Sequence, residues 1–222
     1  MRVEKIDLAT LYHGDCKDLL NSIECDAVIS DPPYGIGFKH GGNDRSGIGK
    51  GKYATVFAGD SIAGDDAPFD PTPILNVSPV ILLWGANHYA DKLPPKSSWL
   101  IWDKRAGSNC TNDFADCEMA WLNTGGVARV FRHHWDGMMR ASEHGIPRVH
   151  PTQKPVALMK WCILQAGTPK KIFDPYMGSG TTGVAAVEMG LEFIGCEIEK
   201  RHFDTACNRI ADAQRQEQLF VI

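Results

Sequence analysis

Two short runs in this 222-residue chain carry the residue types of a reaction centre: Asp31-Pro32-Pro33-Tyr34, and Asp174-Pro175-Tyr176-Met177-Gly178-Ser179-Gly180-Thr181-Thr182. In the first, Asp31 supplies one hydrogen-bond acceptor. The Pro32 carbonyl supplies a second, because a following proline holds the preceding residue in extended geometry. The amino nitrogen of a nucleobase is a poor nucleophile, since its lone pair is delocalised into the ring. Acceptors aimed at its hydrogens stabilise the charge that develops as it attacks. Tyr34 adds a flat face on which a base can stack. In the second run the glycines let backbone approach a ligand closely, and the helix start that follows offers free N–H groups to an anionic group. Glu197 ends the next strand, where a carboxylate takes both hydroxyls of a ribose. The G-x-G-x-x-G spacing is not met, which speaks against nicotinamide or flavin. Neither Lys50 nor Lys52 is followed by Ser or Thr, which excludes a phosphate-binding P-loop.

Apolar runs that alternate with helix-like segments must position these groups, and they imply an α/β fold with a mostly parallel sheet. Strands are expected at 10–13, 27–30, 80–84, 99–102, 117–122, 127–131, 171–173 and 192–196. Thr124-Gly125-Gly126 between two of them reads as a hairpin turn, which makes one edge antiparallel. Helices are expected at 16–22, 71–77, 87–93, 155–166, 180–189 and 199–217, with Pro155 suited to a first turn and Gly190 to a stop. Residues 38–60 and the pair 103–115 and 132–153 fit no element and read as functional loops.

The run from Phe173 to Thr182, followed by Phe193-Ile194-Gly195-Cys196-Glu197, resembles the S-adenosylmethionine site of DNA amino-methyltransferases. His150-Pro151-Thr152-Gln153-Lys154-Pro155 strengthens the likeness, as does His13-Gly14-Asp15-Cys16. The resemblance spans residues 11 to about 210. It implies a doubly wound, Rossmann-like methyltransferase fold with a mixed sheet of seven to eight strands. The catalytic motif precedes the cofactor motif, as in the permuted beta class, so the strands ending at Asp31 and Asp174 are expected side by side. The cofactor implied is S-adenosyl-L-methionine, held by Asp15, Cys16, Thr152, Lys154, Asp174, Pro175, Gly178, Gly180, Thr181 and Glu197. Asp31, Pro32, Pro33 and Tyr34 are the implied catalytic residues. Asp in the first position resembles adenine-N6 enzymes, where Ser would indicate cytosine-N4. Transfer to cytosine-N4 or to RNA is the nearest alternative, and a non-catalytic nucleic-acid-binding module the more distant one. Ring-carbon methylation of cytosine needs a cysteine after a proline, and the chain has no such pair.

Net charge is −4, which argues mildly against a polyanion partner, but the basic residues are segregated. Lys39, Arg45, Lys50 and Lys52 fall in one loop, and Arg132, Arg140 and Arg148 in another, so both are expected to contact DNA. Trp135 or Met138 reads as a wedge. With only 103–153 left for reading bases, a short or relaxed recognition site is expected, as in solitary phage or prophage methylases. The seven cysteines include no C-x-x-C pair, and the histidines share no acidic partners, so no metal is expected. The N-terminus has no apolar targeting core and the longest apolar stretch is far too short to span a bilayer, so a cytoplasmic protein with no membrane partner is expected. The expected organisation is one methyltransferase domain over 1–222, with a homodimer admitted.

Overall fold

The computed structural model describes residues 1–37, 62–107, 115–136, 139–150 and 152–220. In chain order the elements are β1 (Arg2–Ile6), β2 (Ala9–His13), β3 (Ala27–Ser30), β4 (Val80–Trp84), β5 (Trp99–Asp103), β6 (Cys117–Leu122), β7 (Arg129–Arg132), β8 (Trp135–Asp136), β9 (Met139–Arg140), α1 (Val156–Gln165), β10 (Lys171–Asp174), α2 (Thr181–Val187), β11 (Glu192–Glu197) and α3 (Lys200–Phe220). Nine strands form one mixed sheet in the order β1-β2-β11-β10-β3-β4-β6-β5-β7, and β8 with β9 makes a separate small ribbon.

The central strands are buried on both faces. All four residues of β3, Ala-Val-Ile-Ser, are buried, and such strands read as continuous apolar runs rather than alternating ones. Alternate residues feed two cores. Ala27, Ile29, Leu82 and Trp84 pack with residues of α1, α2 and α3. Val28, Ile81 and Leu83 pack with Phe69, Ile74 and Tyr89 on the opposite face.

The sheet has nine strands rather than seven or eight. The additional strand, β1, pairs antiparallel with β2 from Arg2↔His13 to Ile6↔Ala9. Its Arg-Val-Glu-Lys-Ile sequence is largely exposed, so a charged edge strand gave no apolar signal. The expected hairpin across 124–126 does not form. β6 inserts antiparallel between β4 and β5 (Leu82↔Leu122, Ile101↔Met119), and β7 runs parallel to β5 on its far side. Three expected helices are also absent. Residues 16–18, 86–88 and 90–92 form single 3₁₀ turns, and 71–77 is a succession of turns. Each is too short to recover the cost of helix nucleation, and Pro73 and Asn76 oppose it further.

The α-helices on the other face form where expected. Val156 N–H at the start of α1 donates to Glu143 Oε1 (2.8 Å), a cap supplied from a distant loop because Pro155 has no capping side chain. Gly167 (φ +84) closes the helix, with Gly167 N–H bonded to Leu164 O and Thr168 N–H to Ile163 O, the Schellman pattern.

Candidate active site

β3 and β10 are parallel neighbours, with Val28 opposite Phe173, and the chain winds away from them in opposite directions. This is the topological switch point, where open α/β sheets bind ligands. The loops at 31–34 and 174–180 therefore leave adjacent strand ends. Asp174 fastens them together. Its carboxylate accepts from Ser30 Oγ (2.6 Å), Thr182 Oγ1 (2.6 Å) and Tyr176 N–H (3.1 Å). Burial lifts its pKa to about 6 despite these three donors. Pro175 and Thr181 are buried beside it.

The glycine loop is held from three sides. Gly178 (φ +51) donates its N–H to Glu197 Oε2 (2.9 Å). Glu197 Oε1 accepts from Glu199 N–H (2.7 Å), and burial, opposed by these two bonds, raises the carboxyl to about 7. Arg209 of α3 donates through Nη1 to Ser179 O (2.7 Å), Ser179 Oγ (3.0 Å) and Thr181 Oγ1 (3.1 Å). A β-carbon at Gly180 (φ +80) would lie 2.8 Å from Ala206 Cβ, so the loop sits directly on α3. His150 lies beside Gly178 and meets His202 edge-on at 4.3 Å. Burial and then His202 push His150 down to about 3, so it is neutral. Its Nδ1 accepts from Thr152 N–H (3.3 Å). Asp15 caps the 16–18 turn by accepting from Lys17 N–H (3.0 Å), and Gly14 N–H bonds Glu197 O (3.0 Å). That brings buried Cys16 to the same end of the sheet, against Tyr176.

At the first motif Asp31 Oδ1 accepts from Tyr34 OH (2.6 Å), while Oδ2 pairs with Lys154 Nζ. Pro32 is buried and Pro33 partly so. The Tyr34 ring lies directly over Gly85 (φ +67), where a β-carbon would come within 2.0 Å of it. His88 stacks on Tyr34 at 5.2 Å and 16°. Lys154, expected at the cofactor, instead sits among Asp31, Tyr34 OH (3.3 Å) and Glu118 Oε2 (3.3 Å). Glu118 in turn pairs with Lys104 (3.0 Å).

The structure thus gathers Asp31–Tyr34, Lys154, Asp174–Thr181, Glu197 and the 14–16 turn at one end of the sheet. Glu118, Lys104, Arg209, His88 and Gly85 join them, and none carries a local sequence signal. The basic residues expected to meet DNA fare unevenly. Lys39, Arg45, Lys50 and Lys52, like Met138, lie outside the described residues. Arg132 is exposed, 3.7 Å from Asp103 Oδ2. Arg140 is engaged internally, stacked over Trp135 at 5.1 Å and bonded to Ile146 O. Arg148 is partly buried. Trp135 is not a surface wedge: it is 7% exposed and its indole N–H donates to Gln153 O (3.2 Å). Its ring packs into the core because β8 turns it inward. Among the described residues, no cluster of His, Cys, Asp or Glu could hold a metal ion, and no helix is long and apolar enough to cross a membrane.

A glycine turn, an acid at the next strand end and a second acid at the neighbouring strand meet at the switch point of a doubly wound α/β sheet. The sequence pattern of the DNA methylase family matches residues 85–208, more than half of the chain, and the chain belongs to that family. It is 33% identical over 113 residues to the Type II methyltransferase M2.DpnII of Streptococcus pneumoniae; the match covers 50% of this chain and 41% of that relative's length. The fold is similar to that of the M1.HpyAVI–SAM complex, with a TM-score of 0.56 and 20% identity over 91% of this chain and 98% of the other. It is equally similar to PvuII DNA methyltransferase, a cytosine-N4-specific enzyme (TM-score 0.56, 14% identity, 94% and 92% covered). At these identities the likeness to solved structures is one of fold.

Proposed function

We propose that this chain, as one methyltransferase unit, transfers the methyl group of S-adenosyl-L-methionine to an amino nitrogen of a base in DNA, with adenine N6 as the preferred target. The observation that carries this reading is the pairing of β3 with β10, which sets the Asp31 loop beside the glycine loop. The donor set fits the cofactor. Gly178, where a β-carbon would meet nothing nearer than 3.7 Å, leaves backbone open to close approach, and Glu197 keeps lone pairs for ribose hydroxyls beyond its two backbone donors. Asp15, Cys16, Thr152, Pro175 and Thr181 are assigned to the same cofactor by the resemblance of their motifs. Asp174, with both oxygens taken by Ser30, Thr182 and Tyr176, acts by holding the loop. The cofactor supplies a sulfonium-bound, electrophilic methyl group, so no covalent intermediate on the protein is needed.

The target base must leave the duplex to reach such a cleft. Asp31 and the Pro32 carbonyl then accept hydrogen bonds from its amino group and stabilise the developing positive charge. Tyr34, fixed by Asp31 and the contact with Gly85, offers its ring to the base. Arg132, exposed beside Asp103, and Arg148 belong with the basic segment 38–60 to the proposed DNA contacts. A homodimer is an assembly this reading admits, and sedimentation reads it directly.

The fold shared with a cytosine-N4-specific enzyme keeps cytosine-N4 as the second reading. Nucleoside mass spectrometry of DNA and RNA from an expressing, methylation-deficient host separates the two and also tests RNA. N6-methyladenine in DNA is the expected product. Labelled methyl incorporation into plasmid tests activity itself, and none at all would leave only a binding module. Asp31→Ala abolishes transfer while retaining cofactor affinity, as calorimetry checks; lost cofactor binding would contradict the role given to Asp31.

A further inference from the structure

We propose that Glu118 is a positioning residue for Asp31, acting through the Lys154 ammonium group. The inference rests on the reading of Asp31 as acceptor for the target amino group, and it adds residues that neither motif contains.

Four separate elements converge here: Asp31 from the loop after β3, Lys154 from the segment before α1, Glu118 from β6 and Lys104 from the end of β5. Their charges alternate, Asp31⁻–Lys154⁺–Glu118⁻–Lys104⁺, and sum to zero. Lys154 is 5% exposed, with its ammonium 5.4 Å from the Trp84 ring centre and 5.9 Å from that of Tyr34. An ammonium buried against aromatic rings has little water to turn to, so its orientation follows its ion partners. With a carboxylate on each side it is shared unequally, Asp31 being the nearer partner and Glu118 drawing on it from 3.3 Å. With Asp31 alone it would be drawn wholly onto that carboxylate and would compete with the incoming amino group for the same lone pairs.

The electrostatics run the same way. Burial raises the Asp31 carboxyl, Lys154 opposes that, and Glu118 raises it further, which keeps Asp31 a better acceptor than in a one-to-one pair. Burial works against the Lys154 charge, yet Asp31 and Glu118 together hold its pKa above the ordinary value. Burial also works against the Glu118 charge, and Lys154 and Lys104 more than offset it. The other titratable neighbours are Tyr34, bonded to Asp31, Tyr89 and Asp174, which feel Asp31 through space, and Cys162 of α1, which feels both Lys154 and Asp31. Among the described residues, Asp31 and Glu118 are the ion partners of Lys154.

The test is the pH profile of single-turnover methyl transfer, with S-adenosyl-L-methionine and unmethylated plasmid, for wild type, Glu118→Gln and Lys104→Met. Cofactor affinity is measured beside it by calorimetry. In Glu118→Gln the acid limb moves down by about one pH unit and the plateau rate falls about tenfold, since a unit of pKa equals a tenfold change in proton affinity. Lys104→Met leaves Glu118 uncompensated and moves the acid limb up. Cofactor affinity stays within about twofold of wild type in both, because the ion partners of the two side chains are each other and Lys154, not the glycine loop. Opposite shifts are not a consequence of general loosening. Acid limbs unmoved in both variants, or a rate loss fully explained by weaker cofactor binding, overturn the proposal. Should Glu118→Gln fail to fold, the direction of the Lys104→Met shift decides alone. A wild-type protein that transfers no methyl group overturns the functional reading, and this inference with it.

Discussion

Glu197 shows how burial can turn an ordinary carboxylate into a sensor of neutral pH. Its pKa in the folded chain is raised to about 7, above the value near 4.3 of an exposed glutamate. Ribose hydroxyls donate, so they are bound best by the ionised form. Cofactor affinity is therefore full above that pKa and weakens as pH falls through about 7. Titration calorimetry at pH 6 and pH 8 reads the difference, and Glu197→Gln removes it. An affinity flat with pH in wild type would show that this carboxylate does not meet the ribose. The convergence of Asp31, Gly178 and Glu197 was legible in the sequence because each lies in a short run whose spacing has chemical meaning. Glu118 was not. It lies in Cys-Glu-Met-Ala-Trp-Leu, an apolar strand in which one acid looks like a solvent-facing residue, and its partners come from 14 and 36 positions away.

At the scale of elements, the turn after β4 seats the Tyr34 ring. Gly85 adopts a left-handed backbone and the Tyr34 ring fills the place its side chain would occupy. Gly85→Ala adds a methyl group 2.0 Å from that ring, too close for any real contact, and strains the backbone at φ +67 as well. The expected result is loss of methyl transfer by at least about tenfold with cofactor affinity unchanged, since a displaced positioning group costs orientation rather than binding. Transfer kinetics and calorimetry on one preparation measure both. The glycine run was readable as a close approach of backbone to ligand. That Gly180 also lets α3 press against the loop, with Arg209 bonded across it, became visible only once the C-terminal helix was docked.

Over the whole molecule, Asp174 ties together parts of the fold that are distant in sequence: Ser30 on β3, Tyr176 in the loop and Thr182 on α2. Its folded pKa of about 6 lies above the unfolded value near 3.9. The native state therefore takes up a proton between those values that the unfolded chain leaves in solution. By linkage, this group makes the protein more stable as pH falls from about 6 toward 4, and least favourable at higher pH. Asp174→Asn keeps the shape and removes the titration. The melting temperature of wild type minus that of the variant is expected to grow more positive from pH 8 to pH 4. A difference independent of pH would refute the assignment.

By itself, the sequence determined the fold class and the order of the two motifs, and it singled out the residues to which the proposed chemistry is assigned. Those depend on local chemistry: four-residue apolar runs that can only be central strands, glycines where backbone must come close, an acid fixed by prolines. Only the tertiary structure decided which strands are neighbours beyond the switch point. Loop length favoured a β6–β7 hairpin, whereas burial of the apolar β6 between β4 and β5 prevailed. That choice carries Glu118 to Lys154, whose other ion partner is Asp31. Long-range charge pairing follows from topology, because a buried ammonium pairs with whatever carboxylates the sheet brings to it, and no window of sequence contains them all.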